Sequence, residues 1–346
     1  MTASYDDRIP LWLLTGFLGS GKTTLLNHLL KDPALAGTAV IINEFGTVGL
    51  DHELVESASE EMVLLQSGCL CCTIRGDLLT TLDTLFGRRE RGELGFDRII
   101  VETTGLADPS PILHTLIGAD SIAARFRLDS VVTTVDAALG NRTLDRQPEA
   151  LRQVAVADVL IMTKLDLADP SDAAVLEARL RRLNPGAMLR HAEHGAVPAM
   201  VILQASPYGA NGKSLDVVRW LNAEAHLAAD GGHHDHHHHH DTNRHGEDIR
   251  STCLILDEPI EGAALYRWLE GLTALRGPDL LRVKGIVNVI GMEGPLVIHG
   301  VQHLFHTPVR MKRWPSRDRR SRIVFIARNI EQAAFRDTLR LFSTVA

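Results

Sequence analysis

The fold of this 346-residue chain is decided by the stretch Gly16-Phe17-Leu18-Gly19-Ser20-Gly21-Lys22-Thr23-Thr24. An uninterrupted apolar run, Leu11–Leu14, precedes it and predicts a strand buried on both faces. Leu25–Leu30 follows with helical spacing and no helix breaker. A strand, a glycine-rich loop, Lys-Thr and a helix in this order predict a P-loop, whereas a ligand-free glycine turn would require neither the Lys-Thr pair nor both flanks.

Each residue type in the loop has a chemical reason to be there. Glycines let backbone N–H groups turn inward around phosphates, and the helix N-terminus adds positive potential. Lys22 is predicted to reach the β- and γ-phosphates, and the Thr23 hydroxyl to ligate Mg²⁺. The predicted nucleotide-binding residues of this stretch are Gly16, Gly19, Ser20, Gly21, Lys22, Thr23 and Thr24.

Composition narrows the class of protein. Hydrophobic residues make up 45% and charged residues 23% of the chain, as in soluble globular proteins. No apolar run approaches the ~20 residues that span a bilayer, and Met1–Pro10 lacks the apolar core of a signal peptide, so a cytoplasmic protein is expected. The net charge of −7 argues against DNA or RNA as a partner. Seven Lys or Arg between Arg310 and Arg322 predict a solvated loop, with an acidic partner as the second interpretation.

Two polar turns follow further predicted strands, where ligands sit in an open α/β sheet. Asn43-Glu44-Phe45-Gly46 follows the run Thr38–Ile42, and Glu44 could position Mg²⁺ or the attacking water; a solvent-exposed loop acid is the alternative. Glu102-Thr103-Thr104-Gly105 ends the strand Phe96–Glu102. Glu102 is predicted to hold Mg²⁺ through water and the Gly105 N–H to sense the γ-phosphate. Lys22, Glu44 and Glu102 are therefore the predicted catalytic residues.

A cysteine cluster lies between these turns. Cys69, Cys71 and Cys72 follow the predicted strand Met62–Gln66 and precede a helix that begins near Thr73. Closely spaced thiolates at a helix N-terminus can bind one soft cation, and three sulfurs leave a tetrahedral position open for metal exchange. Metal binding is favoured over inert buried cysteines or a redox pair. His52, Glu44 and His114 are candidates for the fourth ligand.

A guanine-recognition motif is predicted after the strand Asp158–Met162. In Thr163-Lys164-Leu165-Asp166, the carboxylate of Asp166 can accept the N1–H and the exocyclic amine of guanine, and Lys164 would lie across the base. Thr163 opens the motif. A last strand is predicted at Ala199–Leu203, after which a backbone N–H near Ser206 could meet the guanine carbonyl.

The predicted domains are a P-loop domain at 1–225, a disordered linker at 226–249 and an α+β domain at 250–346. The linker contains eight histidines, which predict loose metal capture rather than an engineered tag: His233, His234, His236, His237, His238, His239, His240 and His245. In the last domain, strands are predicted from Cys253 to Leu256 and at 281–290, 296–305 and 322–327. Helices are predicted at 262–275 and 332–341, on one face of the sheet, and Cys253 is predicted to be ordinary core. The predicted fold class is α/β, a mostly parallel P-loop NTPase sheet followed by a smaller α+β domain.

These motifs, in this order, resemble the CobW-like metallochaperone GTPases, relatives of the nickel-insertion GTPases. The resemblance spans essentially the whole chain, and the cysteine cluster Cys69-Leu70-Cys71-Cys72 is its most specific part. It implies GTP hydrolysis coupled to delivery of a metal, most often zinc, to a client metalloprotein. The chain departs from the family at Thr47, where a Glu is frequent, and at Thr163, which replaces Asn.

The resemblance leaves three functions open. The first is a GTP-dependent zinc metallochaperone, the second an activator that inserts Co²⁺ or Fe²⁺ into one enzyme, and the third a metal buffer or sensor dominated by the linker. The intact Lys22, Thr23 and Glu102 argue against the third. The expected cofactors are GTP, Mg²⁺ and Zn²⁺. The expected partners are a client protein and, in a nucleotide- or metal-dependent way, a second copy of the chain, with no membrane.

Overall fold

The computed structural model describes residues 8–43, 63–67, 74–203, 249–306 and 308–343. These residues divide into two compact units. The first contains the chain up to Leu180 and the segment that resumes at Ala187, and the second contains 181–186 and the part from Ile249 onward. None of the described helices is long and apolar enough to cross a membrane.

The first unit is built on a seven-stranded sheet in the order β3-β2-β4-β1-β5-β6-β7, and every neighbouring pair is parallel. This confirms the predicted parallel α/β architecture. Its central strand β1 is buried on both faces, as the apolar run predicted. The strands are β1 (Ile9–Gly16), β2 (Thr38–Asn43), β3 (Val63–Ser67), β4 (Arg98–Glu102), β5 (Phe126–Asp136), β6 (Val159–Thr163) and β7 (Met188–His191).

Helices follow the strands and cover the sheet. Trp12 and Leu14 of β1 share one core cluster with Leu25, Leu26 and Leu29 of the first helix, so the P-loop is held between two packed elements. The helices are α1 (Lys22–Leu30), α2 (Ile74–Glu90), α3 (Ser110–Gly118), α4 (Asp120–Ala123), α5 (Gly140–Arg146), α6 (Pro148–Val156), α7 (Pro170–Leu183) and α8 (Ala199–Leu203).

The strand predicted at Ala199–Leu203 is wrong, because this segment forms the short helix α8. Pro198 precedes it and accepts a hydrogen bond from the Val201 N–H (2.9 Å), while the Ala199 N–H donates to Oδ2 of the distant Asp32 (3.2 Å). A run of five apolar residues is compatible with either a strand or a helix, and these hydrogen bonds at its N-terminus favour the helix. The last described strand of the sheet is instead β7, which the sequence analysis missed.

The second unit contains an antiparallel sheet in the order β11-β10-β9-β13-β8, with β12 pairing to β10. The strand predicted at 296–305 is wrong in its length. It is a hairpin, because Gln302 takes a left-handed φ of 52° between β10 and β11. The elements are β8 (Ile249–Leu256), α9 (Gly262–Arg276), β9 (Leu280–Val287), β10 (Leu296–Val301), β11 (Leu304–Phe305), β12 (Val309–Arg310), β13 (Ser321–Arg328) and α10 (Gln332–Ser343).

The two faces of this sheet are covered differently. Helices α9 and α10 pack on one face, where Trp268 of α9 and Phe335 of α10 join Phe325 of β13 in the core. On the other face, Ile286 and Val324 are buried under a group of half-buried side chains: Cys253, Met311 and Trp314. Cys253 is thus a partly buried residue of this smaller cluster.

Candidate functional site: a nucleotide cleft at the P-loop

The backbone of the P-loop uses conformations that glycine adopts readily. Gly21 has a φ of 88° and caps the N-terminus of α1. Gly16 has a φ of 142°, and a Cβ atom there would lie 2.3 Å from the Thr134 hydroxyl, so a side chain would collide with β5. The loop is thereby drawn close to the sheet, with the N-terminal N–H groups of α1 beside it.

Lys22 lies at the start of α1 and is almost fully buried. Its ammonium donates to the Gly16 carbonyl at 3.0 Å and to the Phe17 carbonyl at 3.3 Å. These two carbonyls thus hold the Lys22 ammonium inside the curve of the P-loop. Phosphates bind at this place in proteins of this architecture.

Two side-chain oxygens predicted to hold Mg²⁺ meet across the cleft. The Thr23 hydroxyl donates to Oε1 of Glu102 at 3.0 Å, although the two residues lie on α1 and at the end of β4. Glu102 is 5% exposed, so its carboxylate has little contact with water. A hydroxyl and a carboxylate this close form a donor set that suits a hard divalent cation.

Gly105 approaches the P-loop from the segment after β4. A Cβ atom on Gly105 would lie 2.5 Å from Cα of Leu18, which leaves no space for any side chain. The Gln153 amide of α6 donates to the carbonyls of Gly105 (3.2 Å) and Ala107 (3.0 Å). The segment is therefore fixed between the P-loop and α6.

The segment predicted to recognise guanine, Thr163–Asp166, is hydrogen-bonded to the same loop. The Thr163 hydroxyl donates to the Ser20 carbonyl at 2.8 Å. Lys164 has a left-handed φ of 56°, and its ammonium forms an ion pair with Oδ2 of Asp136 at 2.8 Å. Asp166 is exposed in the short 3₁₀ turn Leu165–Leu167, where its carboxylate is free to meet a ligand.

A cleft of about 500 Å³ collects most of the predicted nucleotide-binding and catalytic residues that the structure describes. Ser20 and Thr163 lie behind it as buried supports, and Asp166 lies beyond it in its exposed turn. The predicted residues that line it are Gly19, Gly21, Lys22, Thr23, Thr24, Glu102, Gly105 and Lys164.

Other predicted residues lie outside the described part of the chain. They are Glu44, His52, the three cysteines, Ser206 and the histidines of the linker. His114, a candidate fourth metal ligand, is half-buried on α3. Within the described ranges, no group of three or more His, Cys, Asp or Glu side chains could hold a metal ion.

Two residues of this site were missed by the sequence analysis. Asp136 positions Lys164 and also accepts hydrogen bonds from the N–H groups of Ala138 (2.8 Å) and Leu139 (3.1 Å). It is an acid at the end of a buried strand, the same signal that identified Glu102. Gln153 is buried within α6, and no local pattern distinguishes it from other helical glutamines.

Comparisons with known proteins agree with this geometry. The family described as CobW/HypB/UreG, nucleotide-binding domain, matches residues 10–190, and the cobalamin synthesis protein cobW C-terminal domain matches residues 249–342. The zinc chaperone YjiA of Escherichia coli K12 is 32% identical over 329 residues, which cover 95% of this chain and 96% of the relative. The zinc chaperone CobW of Pseudomonas aeruginosa is 32% identical over 365 residues, which cover 96% and 91%.

A solved structure extends the similarity to three dimensions. The crystal structure of the Zn(II)-bound YjiA GTPase from E. coli has a TM-score of 0.70 and 26% identity, and the match covers 97% of this chain and 99% of that one. Both domains of the chain are thus accounted for by one known architecture. On these grounds, the chain belongs to the CobW/HypB/UreG family and carries the CobW C-terminal domain.

Proposed function

We propose that this protein is a GTP-hydrolysing metallochaperone that binds zinc through Cys69, Cys71 and Cys72 and transfers it to a client metalloprotein. The chain is a P-loop GTPase of its family, and its relatives YjiA and CobW are named zinc chaperones. The observation that carries the proposal is one cleft in which Lys22, the Thr23–Glu102 contact and Lys164 come together.

The residues of the cleft have separate roles in hydrolysis. Lys22 would leave the loop carbonyls and bind phosphate oxygens, and the Gly105 N–H would bind the γ-phosphate. The Thr23 hydroxyl would ligate Mg²⁺ and Glu102 would hold it through water, and the bound ion would neutralise charge on the phosphates. Glu44 follows Ile42, a residue that lines the cleft, by two positions and would orient the attacking water.

Specificity for guanine would come from Asp166. Its carboxylate can accept both the N1–H and the exocyclic amine of guanine, whereas adenine has no N1–H. Losing such a charge-assisted hydrogen bond costs roughly 1.5–3 kcal/mol, which is about one to two decades in affinity. Lys164, held by Asp136, would cover one face of the base.

The strand that leads toward the proposed zinc ligands belongs to the same sheet as the cleft. In the register of the strands, Ile42 of β2 lies opposite both Gln66 of β3 and Glu102 of β4. Two strand spacings separate Gln66 from Glu102, about 10 Å. The cysteine segment thus starts from the same edge of the sheet that carries Glu102, and this proximity supports a link between metal and nucleotide.

Two measurements test the proposal. The purified protein should hydrolyse GTP in preference to ATP at subsaturating concentration, and Lys22→Ala should abolish turnover without loss of folding. The metal-free protein should bind one zinc ion tightly, and Cys71→Ser should remove this site while Cys253→Ser, a matched change in the C-terminal sheet, keeps it. Equal turnover of ATP and GTP, or tight zinc binding in Cys71→Ser, would contradict the proposal.

A further inference from the structure

The C-terminal unit contains a cleft of about 420 Å³ that shares no lining residue with the nucleotide cleft. We call it the basic cleft. Four of its lining side chains are cationic and one, Glu293, is anionic. Its lining residues are Glu293, Lys312, Arg313, Trp314, Ser316, Arg317 and Arg319.

The charges of this cleft are not neutralised by the loop that carries them. Residues 310–322 contain seven Lys or Arg and one acid, Asp318, in a chain whose net charge is −7. Asp318 is engaged by Arg320 (2.9 Å) and by Arg322. The four cations of the cleft are exposed, and none has an ion-pair partner among the residues that the structure describes.

The loop around the cleft is anchored to the sheet beneath it. Met311 and Trp314 pack against the buried side chains of Ile286 and Val324, and the Met311 N–H donates to the Pro295 carbonyl at 3.0 Å. A Cβ atom on Gly294 would lie 1.9 Å from the Met311 carbonyl oxygen, so the two backbones are in direct contact. The cations are therefore presented on a preformed surface, which lowers the entropic cost of ordering the loop when a ligand binds.

We propose that the basic cleft is a docking site for an acidic peptide segment of a partner protein. Like charges gathered on one anchored loop repel each other, and an anionic ligand relieves this repulsion. Arginine forks bind carboxylates in a bidentate way, and three of the four cations are arginines.

The size of the cleft favours a peptide over a nucleic acid. A volume of about 420 Å³ suits a ligand of drug size or a few side chains. A nucleic acid would extend beyond the cleft over a protein of net charge −7, where its phosphates would be repelled. A short run of Asp or Glu can bind the cations within the cleft and avoid this repulsion.

The test is fluorescence anisotropy of a labelled hexaglutamate peptide with the full-length protein, in low salt and with a chelator that strips metal from the histidines. We expect saturable binding that weakens as salt rises. The double variant Arg313→Glu/Arg317→Glu should lower the affinity about ten-fold or more, because it replaces attraction with repulsion. Arg336→Glu, the same type of substitution at a single exposed position of α10, should leave binding within about two-fold of the wild type.

Three results would overturn the proposal. They are no binding above that of the double variant, tighter binding of an oligothymidylate probe that is lost in the same variant, and competition by inorganic phosphate at the peptide's own concentration. The neutral variant Arg313→Gln/Arg317→Gln guards against misfolding. It should keep the wild-type unfolding temperature and show an intermediate affinity, and wild-type affinity in it would also overturn the docking site.

Discussion

Asp136 is a positioning residue for Lys164. Its Oδ2 binds the lysine ammonium at 2.8 Å, and its Oδ1 accepts two backbone N–H groups of the turn that follows β5. The aspartate side chain is 12% exposed and the lysine side chain 36% exposed, so the ion pair is partly shielded from water. Lys164 has a left-handed backbone conformation, and its ion pair with Asp136 holds the side chain in one direction.

Asp136→Asn should therefore raise the KM for GTP about five-fold and change kcat little, because a partly buried ion pair contributes about 1 kcal/mol. The asparagine oxygen can still accept the hydrogen bonds of the turn, so the local backbone should be kept. The check is steady-state GTP hydrolysis, repeated in a Lys164→Ala background. In that background, Asp136→Asn should have no further effect on KM, and an equal loss in both backgrounds would show that Asp136 acts through another group.

The loop between β12 and β13 depends on one carboxylate. The side-chain hydrogen bond from Arg320, the backbone N–H of Arg320 and the charge of Arg322 hold the pKa of the Asp318 carboxyl well below its usual range. A group with a lowered folded-state pKa stabilises the fold fully above its unfolded pKa of about 3.9, and this contribution is lost as the pH falls through the folded pKa.

Asp318→Asn should thus lower the unfolding temperature at pH 7, and its difference from the wild type should shrink as the pH falls below about 4. The measurement is thermal unfolding at a series of pH values. Asp337→Asn, at an exposed position of α10, is the control and should follow the wild type throughout. A difference between Asp318→Asn and the wild type that stays constant down to pH values near 2 would refute the assignment.

The histidine-rich segment leads to a further prediction. Its imidazoles are carried on a segment whose composition cannot form a core, so ordering several of them around one ion costs conformational entropy that a short cysteine loop largely avoids. Deleting 233–245 should remove weak zinc sites and leave one tight site, as measured by calorimetric titration. Loss of the tight site along with the segment would place zinc elsewhere than on the cysteines.

The elements that local sequence determines were predicted correctly, and the failures have physical causes. The P-loop strand and helix follow from an apolar run, three glycines and helical spacing, all within residues 11–30. The helix at Ala199–Leu203 depends on a cap from Asp32, a residue 167 positions away, which no local pattern reveals. Asp136 could have been found, since it follows a buried strand as Glu102 does, but its partner Lys164 is known only from the fold.

The parallel sheet brings the end of the strand that precedes the cysteines and the strand end that carries Glu102 to the same edge of the sheet. Glu102, Ile42 and Gln66 stand in register on three adjacent strands, and the cysteine segment begins just after Gln66. The segment that follows Glu102 contains Gly105 and is fixed by Gln153 and the P-loop. A rearrangement of the Gly105 segment when the γ-phosphate leaves would act on β4, and only β2 separates β4 from β3, the strand that leads to the cysteines.

We therefore predict that the nucleotide state changes the affinity for zinc. If the two states hold the metal differently by ~1–3 kcal/mol, their zinc affinities should differ about 5- to 150-fold. Linkage requires zinc to shift the preference for GTP over GDP by the same factor. The measurement is zinc titration with a non-hydrolysable GTP analogue and with GDP, followed by the reciprocal nucleotide titrations with and without zinc. Cys71→Ser should abolish the coupling and Cys253→Ser should preserve it, whereas identical zinc affinities in both nucleotide states would leave a GTPase and a metal site with no cycle that connects them.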